Sequence, residues 1–322
     1  MEHSKQPFLK RLLSVRGMGA ALTAFAGLII IYIAFGLINP TVFSGRNIVN
    51  LTRSMSKYLI IGIGQSYLLI TGNIDLSIGS VVGMSAMISG TLMSGGMHPI
   101  PAILITLVAC LLVGVLNGML VGKFQLPPFI ATLGMMKILR SVTQQVMQTA
   151  AVKVPSSFLA ISNTKIGGEV ILPILYWLVA AVILHIVSRY TPFGRHVYAV
   201  GSNERTARLS GVNVERVKGL IYVLMGALVA VTAVIQVSRI GSMDYANAGS
   251  GYEMDAIAAV VVGGTSMSGG RGSILGTVLG MLIIAVMNNL LNLMGVPPFL
   301  REAFKGFIVI AAVLLQKKEA TA

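Results

Sequence analysis

An all-α, polytopic membrane protein with about ten transmembrane helices is the fold class this sequence predicts, and three observations predict it. The 322 residues are 55% hydrophobic and only 11% charged, against about a quarter charged in a soluble domain. The apolar residues gather into segments of bilayer-spanning length, about 17–25 residues each. The net charge of +14 collects between those segments, which is a signature of membrane topology and not of nucleic-acid binding.

The first seventeen residues are basic through Lys5, Lys10, Arg11 and Arg16 and predict a cytoplasmic N-terminus. The run at 18–38 has no small-residue cleavage site after it at signal-peptide distance, so it reads as a retained span. Further spans are expected at 50–71, 76–95, 101–121, 128–148, 171–188, 218–239, 273–295 and 302–316, with a shorter tenth at 253–264. Ten spans place both termini on one side. Fourteen of the 24 cations fall on that side: the four just named, Lys123, six between 189 and 218, Arg271, Lys317 and Lys318. That side is therefore cytoplasmic. The expected organisation is one membrane domain over 18–316 with a cytoplasmic tail at 317–322. A cytoplasmic loop lies at 189–218, and the largest external loop at 149–170.

A repeat runs through the domain. Gly79-Ser80 recurs as Gly249-Ser250, and VLNGMLVGKFQLPPF (115–129) recurs loosely as VMNNLLNLMGVPPF (286–299). The Pro-Pro-Phe matches keep the same offset. Spans 2–5 then map onto spans 7–10 with opposite orientation, and inverted repeats of this kind place a transport pathway at their interface.

The polar segment 189–218 contains a compact helix signal at about 203–210. Ser202 suits the N-cap, Glu204 the first turn, Arg208 the last turn and Gly211 the C′ position. Glu204 and Arg208 are spaced i to i+4 and can brace each other. Two turns are marginal in water, and Ala207 and Leu209 offer too little apolar surface for the helix to bury itself on its own chain. It is built to dock elsewhere, with Arg205 free to reach a partner carboxylate.

No enzyme chemistry is evident. GMLVGKF (118–124) has the wrong glycine spacing and Phe124 where a phosphate loop needs Ser or Thr. HExxH, GxSxG and a close carboxylate pair suited to acid–base work are absent, the four histidines lack metal-ligand spacing, and the single Cys110 sits in an apolar segment. No cofactor is expected. TGNIDLSIGS (71–80) breaks one span from the next, so Asn73 and Asp75 either meet a solute or, for Asp75, cap the following helix. Asn117, Asn288 and Asn289 either bond across helices or line a polar route. Phe129 and Phe299, in the paired PPF segments, are candidates to line or gate it. Lys137 and Arg140, well inside a span, must face a cavity, a partner or an interface reached by snorkelling.

ITGNIDLSIGS, LPPFIATLGMM, TPFGRHVYAVGSNERTARLSGVNVERVK and GYEMDAIAAVVVGGTSMSGGRGSILGT resemble the membrane permease subunit of ribose/xylose/galactose-type ATP-binding-cassette sugar importers, over about residues 39–316. The resemblance implies a cobalamin-importer-like permease of ten spans in the bacterial inner membrane, paired as a homodimer within the lipid bilayer. It implies a cytoplasmic ATPase and a periplasmic sugar-binding protein as partners, with ATP hydrolysed by the ATPase and not by this chain. It also implies that Asn203, Glu204, Arg205, Thr206, Ala207, Arg208, Leu209 and Ser210, ended by Gly211, form the coupling helix received by the ATPase. One departure is Asn73, where relatives often carry a second glycine, a position that bears on the substrate. The rival expectation is an ion-coupled secondary transporter of a small polar solute, which would need acids within its spans. A membrane-embedded enzyme ranks below both.

Overall fold

The computed structural model describes residues 18–147, 152–166, 170–243 and 248–321. The N-terminus expected at 1–17, residue 322 and part of the loop expected at 149–170 lie outside the described residues. Each apolar segment expected to span coincides with a helix. In order these are α1 Met18–Ile38, α2 Gly45–Ile70, α3 Ile78–Ser94, α4 Pro99–Gly118 and α5 Pro128–Met147. After the short α6, Ser156–Asn163, come α7 Leu172–Tyr190, α8 Pro192–Ser202, α9 Glu204–Leu209 and α10 Val214–Ile240. The chain ends with α11 Tyr252–Val262, α12 Ile274–Leu293 and α13 Pro298–Thr321. Among the described residues the strands are two antiparallel pairs of two-residue segments, Val152–Lys153 with Ser242–Met243 and Lys165–Ile166 with Val170–Ile171.

Local chemistry explains the helix starts. Ser44, Thr191, Asn213 and Ser273 each accept a hydrogen bond from a first-turn amide of α2, α8, α10 and α12 respectively, the standard N-cap arrangement. Each PPF segment opens a helix, α5 at Pro128 and α13 at Pro298, because proline has its φ preset for a first turn and no amide to leave unpaired. Among the described residues four helices are long and apolar enough to cross a membrane: α4 with the π-helical turn Met119–Lys123 that continues it, α7, α10 and α12. By contrast α11 has 11 residues, about 16 Å, or half of a hydrocarbon core.

Packing is close wherever glycine removes a side chain. Gly114 and Gly118 bring α4 onto the α10 backbone at Tyr222 and Gly219, and Gly226 returns the contact at Cys110. This small-residue crossing gives van der Waals contact without any hydrophobic drive in lipid. Gly79 and Gly249 are a tighter case, since a Cβ on either would strike the carbonyl oxygen of the other. Gly249 also holds φ +68°, a conformation that side chains disfavour. The glycine cluster at 263–272 allows both close packing and a sharp reversal: Gly263 and Gly276 pack reciprocally, while the chain doubles back to place the Gly270 amide 2.8 Å from the Ile70 carbonyl.

The helix pairs recur in two sets. α4 packs along α10 as α12 packs along α2, and α3 meets α10 as α11 meets α2. α3 lies against α4 and α5, as α11 lies against α12 and α13. The connecting segments sort to two ends. Tyr198 donates to the Gly272 carbonyl at one end, and at the other Val154 donates to Gly241 and Asn163 to Ser238.

Candidate functional site

A polar cavity of about 640 Å³ opens between α2, α10, α12 and α13. Amides dominate its wall: Asn47 and Asn50 from α2, and Asn288, Asn289 and Asn292 from α12. Asn47 and Asn289 pair amide to amide, each donating to the other at 3.1 and 2.8 Å. Arg301 of α13 donates to Asn292 at 3.0 Å. Asn50 and Asn288 have no hydrogen-bond partner among the described residues and present free amides to the cavity.

Charges form its floor. Lys57 donates to the Tyr252 hydroxyl at 2.8 Å and lies 4.7 Å from the ring centres of both Tyr58 and Tyr252, so the ammonium is held by cation–π attraction as well. Lys305 bonds Asp255 at 2.7 Å and Glu302 at 2.6 Å. Asp255 sits in the first turn of α11, where the helix dipole favours an anion. None of Asn47, Lys57, Asp255 or Lys305 stood out in the sequence as a site residue. The available signal was that Lys57 and Lys305 fall inside expected spans, where a charge needs a partner or a cavity.

The residues nominated from sequence divide among three places. Asn288 and Asn289 line the polar cavity. Asp75 and Asn117 lie instead around a separate void of about 10 Å³ between α3, α4 and α10, room for one water at most. There the Asp75 carboxylate accepts from the Ser77 amide at 2.7 Å and hydroxyl at 2.6 Å, and Asn117 donates to the Ser77 hydroxyl at 2.9 Å. Asp75 thus ties down the start of α3. Asn73 is buried beside it and donates to the Thr71 carbonyl at 3.1 Å. Phe129 is exposed and Phe299 is 87% exposed, so both stand on the outer surface of the single chain. Lys137 is exposed on α5, and Arg140 donates to the Ala248 carbonyl at 2.7 Å, fixing the segment that leads into α11.

The short helix expected at 203–210 is α9, with two corrections. Ser202 is not its N-cap: it is the last residue of α8, and the Asn203 carboxamide accepts from the Thr206 amide at 2.9 Å. The Thr191-Pro192 start of α8 was the overlooked signal. Nor is α9 unable to bury itself, because Ala207 is buried where α9 packs on α8 and α10. The expected brace is present, with Arg208 3.5 Å from Glu204, and it extends further. Arg208 reaches Glu215 at 3.6 Å, and Lys218 bonds Glu204 at 2.7 Å. Gly211 takes φ +82°, the left-handed C′ geometry. Arg205 has no ion-pair partner among the described residues, and Leu209 is 82% exposed.

Comparison with known proteins finds several permeases similar in sequence to this chain. The chain is 38% identical over 312 residues to the ribose import permease protein RbsC of Bacillus subtilis, covering 94% of each protein. It is 38% identical over 288 residues to the probable ABC transporter permease protein YphD of Escherichia coli, covering 88% of this chain and 86% of that one. It is 34% identical over 296 residues to the galactose/methyl galactoside import permease protein MglC of Escherichia coli, covering 86% and 88%. No solved structure matches it. Residues 47–313, most of the chain, match the family described as "Branched-chain amino acid transport system / permease component", and the chain belongs to that permease family.

Proposed function

We propose that this chain is the transmembrane permease subunit of an ATP-driven importer of a monosaccharide, pentose or hexose. Its partners would be a cytoplasmic ATPase, a periplasmic sugar-binding protein and a second copy of itself in the inner membrane. What carries the reading is the near full-length similarity to permeases named for ribose and galactose import. The amide-lined cavity fits it: its volume lies in the usual range for small-molecule sites, and the free amides of Asn50 and Asn288 can exchange hydrogen bonds with sugar hydroxyls, while Lys305 on the floor is already engaged by Asp255 and Glu302. The ion-coupled alternative loses ground, because Asp255 is paired with Lys305 and Asp75 is engaged by Ser77. Uptake should stop on ATP depletion and survive collapse of the ion gradients. The reverse pattern would return the ion-coupled reading.

In the proposed topology α1–α5, α7 and α10–α13 make ten passages, with α2–α5 and α10–α13 as inverted copies. The support is the matched set of helix pairs and the reciprocal Gly79–Gly249 contact, since equivalent residues meet each other at a two-fold axis. The α8–α9 segment is cytoplasmic and 152–166 external, by the distribution of cations. A cysteine at Asn163 should react with an impermeant thiol reagent on intact cells, and one at Asn203 should not, in a Cys110→Ser background. The opposite labelling reverses the orientation.

Transmission follows the same geometry. α9 is pinned to the first turns of α10 through Glu204–Lys218 and Arg208–Glu215. α10 then runs unbroken for 27 residues, about 40 Å, and delivers Arg239 to the cavity wall. A displacement of α9 by the ATPase would tilt this rod and reshape the cavity, a coupling carried by a rigid element with two positions. Asn288→Phe fills the cavity without breaking a hydrogen bond. It should cut uptake roughly tenfold or more, in line with pocket steric discrimination, with basal ATP hydrolysis and assembly unchanged. Equal loss of assembly would make Asn288 a packing residue.

A further inference from the structure

A second cavity, of about 430 Å³, lies at the far end of α7, where α7, α8 and the start of α12 meet. Its wall carries Arg189, Arg195, His185 and Tyr198, with Ser273 and Ile274 at the first turn of α12. Both arginines are exposed and have no side-chain hydrogen bond or ion pair among the described residues, whereas Arg208 and Lys218 nearby in sequence are paired. No acidic residue among the described residues lines the cavity. The Tyr198 hydroxyl donates to Gly272 at 2.9 Å and lies 3.3 Å from that of buried Ser188, which fixes the back wall.

The surface leading to this cavity is apolar. Leu175, Val179, Val182 and Ile186 are all exposed on α7 at alternating spacings of four and three, so they form one stripe. Arg189 continues the stripe at the next position. From Leu175 to Ile186 is about 16 Å of helix, close to half of a roughly 30 Å hydrocarbon core. One face of α7 therefore offers an apolar track one leaflet long that ends at two unpaired guanidiniums. A basic pocket between helices at the membrane boundary suits an anionic headgroup, and guanidinium forks match phosphate geometry.

We propose that this cavity is a binding site for an anionic phospholipid. Its phosphate sits between Arg189 and Arg195, with the start of α12 behind it, and one acyl chain lies along the α7 stripe. The proposal uses the membrane reading of the chain but neither the sugar nor the transport mechanism. α8, which carries Arg195, ends where α9 begins, so the lipid would brace the base of α9.

The full chain, purified in detergent, would be titrated with phosphatidylglycerol or with phosphatidylcholine of the same acyl chains, and bound lipid counted by native mass spectrometry. Glycerol phosphate would serve as a soluble competitor. The expected result is saturable binding of phosphatidylglycerol on the order of tenfold tighter than phosphatidylcholine, from two cations at the boundary. Arg189→Gln with Arg195→Gln should remove that preference, and Arg195→Gln alone should weaken it. Arg205→Gln with Arg216→Gln, which removes equal charge outside the cavity, should leave it intact. Both cavity arginines are exposed, so the variants should fold, and Arg195→Gln alone serves if the double variant is not recovered. Equal loss in the control pair would reduce the effect to general charge and overturn the site. Displacement by glycerol phosphate at the lipid's own concentration would assign a soluble anion and overturn the lipid. No preference in the unaltered protein would also overturn it.

Discussion

Leu209→Asp is expected to abolish uptake while leaving the chain folded and in the membrane. Leu209 is an apolar side chain 82% exposed at the end of a six-residue helix. The rest of α9 is already spoken for: Asn203 caps it, Ala207 is buried beneath it, and Glu204 and Arg208 hold it to α10. Arg205, Thr206 and Leu209 are what remain to meet a partner, and of these Leu209 is the apolar one. If Leu209 fills a pocket on the ATPase, placing a carboxylate there costs at least about 2 kcal/mol, roughly thirtyfold in association. Arg205→Glu should act more on the rate of association and its salt dependence, as charges at the rim of an interface do. The readouts are ATPase co-purification, solute-stimulated hydrolysis and uptake at matched expression. Normal uptake by Leu209→Asp would remove α9 from the coupling role and leave it a solvated cytoplasmic turn.

Lys305→Met is expected to destabilise the folded protein by about 3–5 kcal/mol, the range for stranding one member of a buried ion pair. The Lys305 and Asp255 side chains are 12% and 6% exposed and meet at 2.7 Å. Removing the ammonium leaves the Asp255 carboxylate in the first turn of α11 with the helix dipole, the Tyr58 hydroxyl and the charge of Lys57 to support it, and no ion pair. Adding Asp255→Asn should recover most of the loss, because the pair contributes little beyond what two neutral groups of similar size would. Unfolding free energies from denaturant titration in detergent micelles decide the matter. A loss below about 1 kcal/mol would mean that water in the adjoining cavity hydrates Asp255 well enough to stand in for Lys305, as it does for exposed pairs.

The sequence alone determined the class of the protein and the positions of its long apolar helices, while the short α6 and α8 were not read from it. Span length and charge asymmetry are properties of local composition, and a bilayer reads them segment by segment. The family was equally legible, because its long motifs are contiguous: the short helix α9 could be located to within a residue or two and its left-handed Gly211 foreseen. Ser202 and Asn203 show where that precision ends. Both are good caps, and only the extent of α8 decides which of them begins α9. The cavity was a tertiary matter. Asn47 and Asn289 are 242 positions apart, and Lys305 finds Asp255 across 50. Asn117 and Asn288 fall within one residue of each other in the repeat, yet one bonds Ser77 at a void the size of a water and the other faces an open cavity. Hydropathy assigns the same cost to both amides. Which of them can meet a solute depends on whether the helices opposite close over it, and that is set by glycine contacts such as Gly114 on Tyr222 and Gly118 on Gly219, which exist only once α4 and α10 have packed.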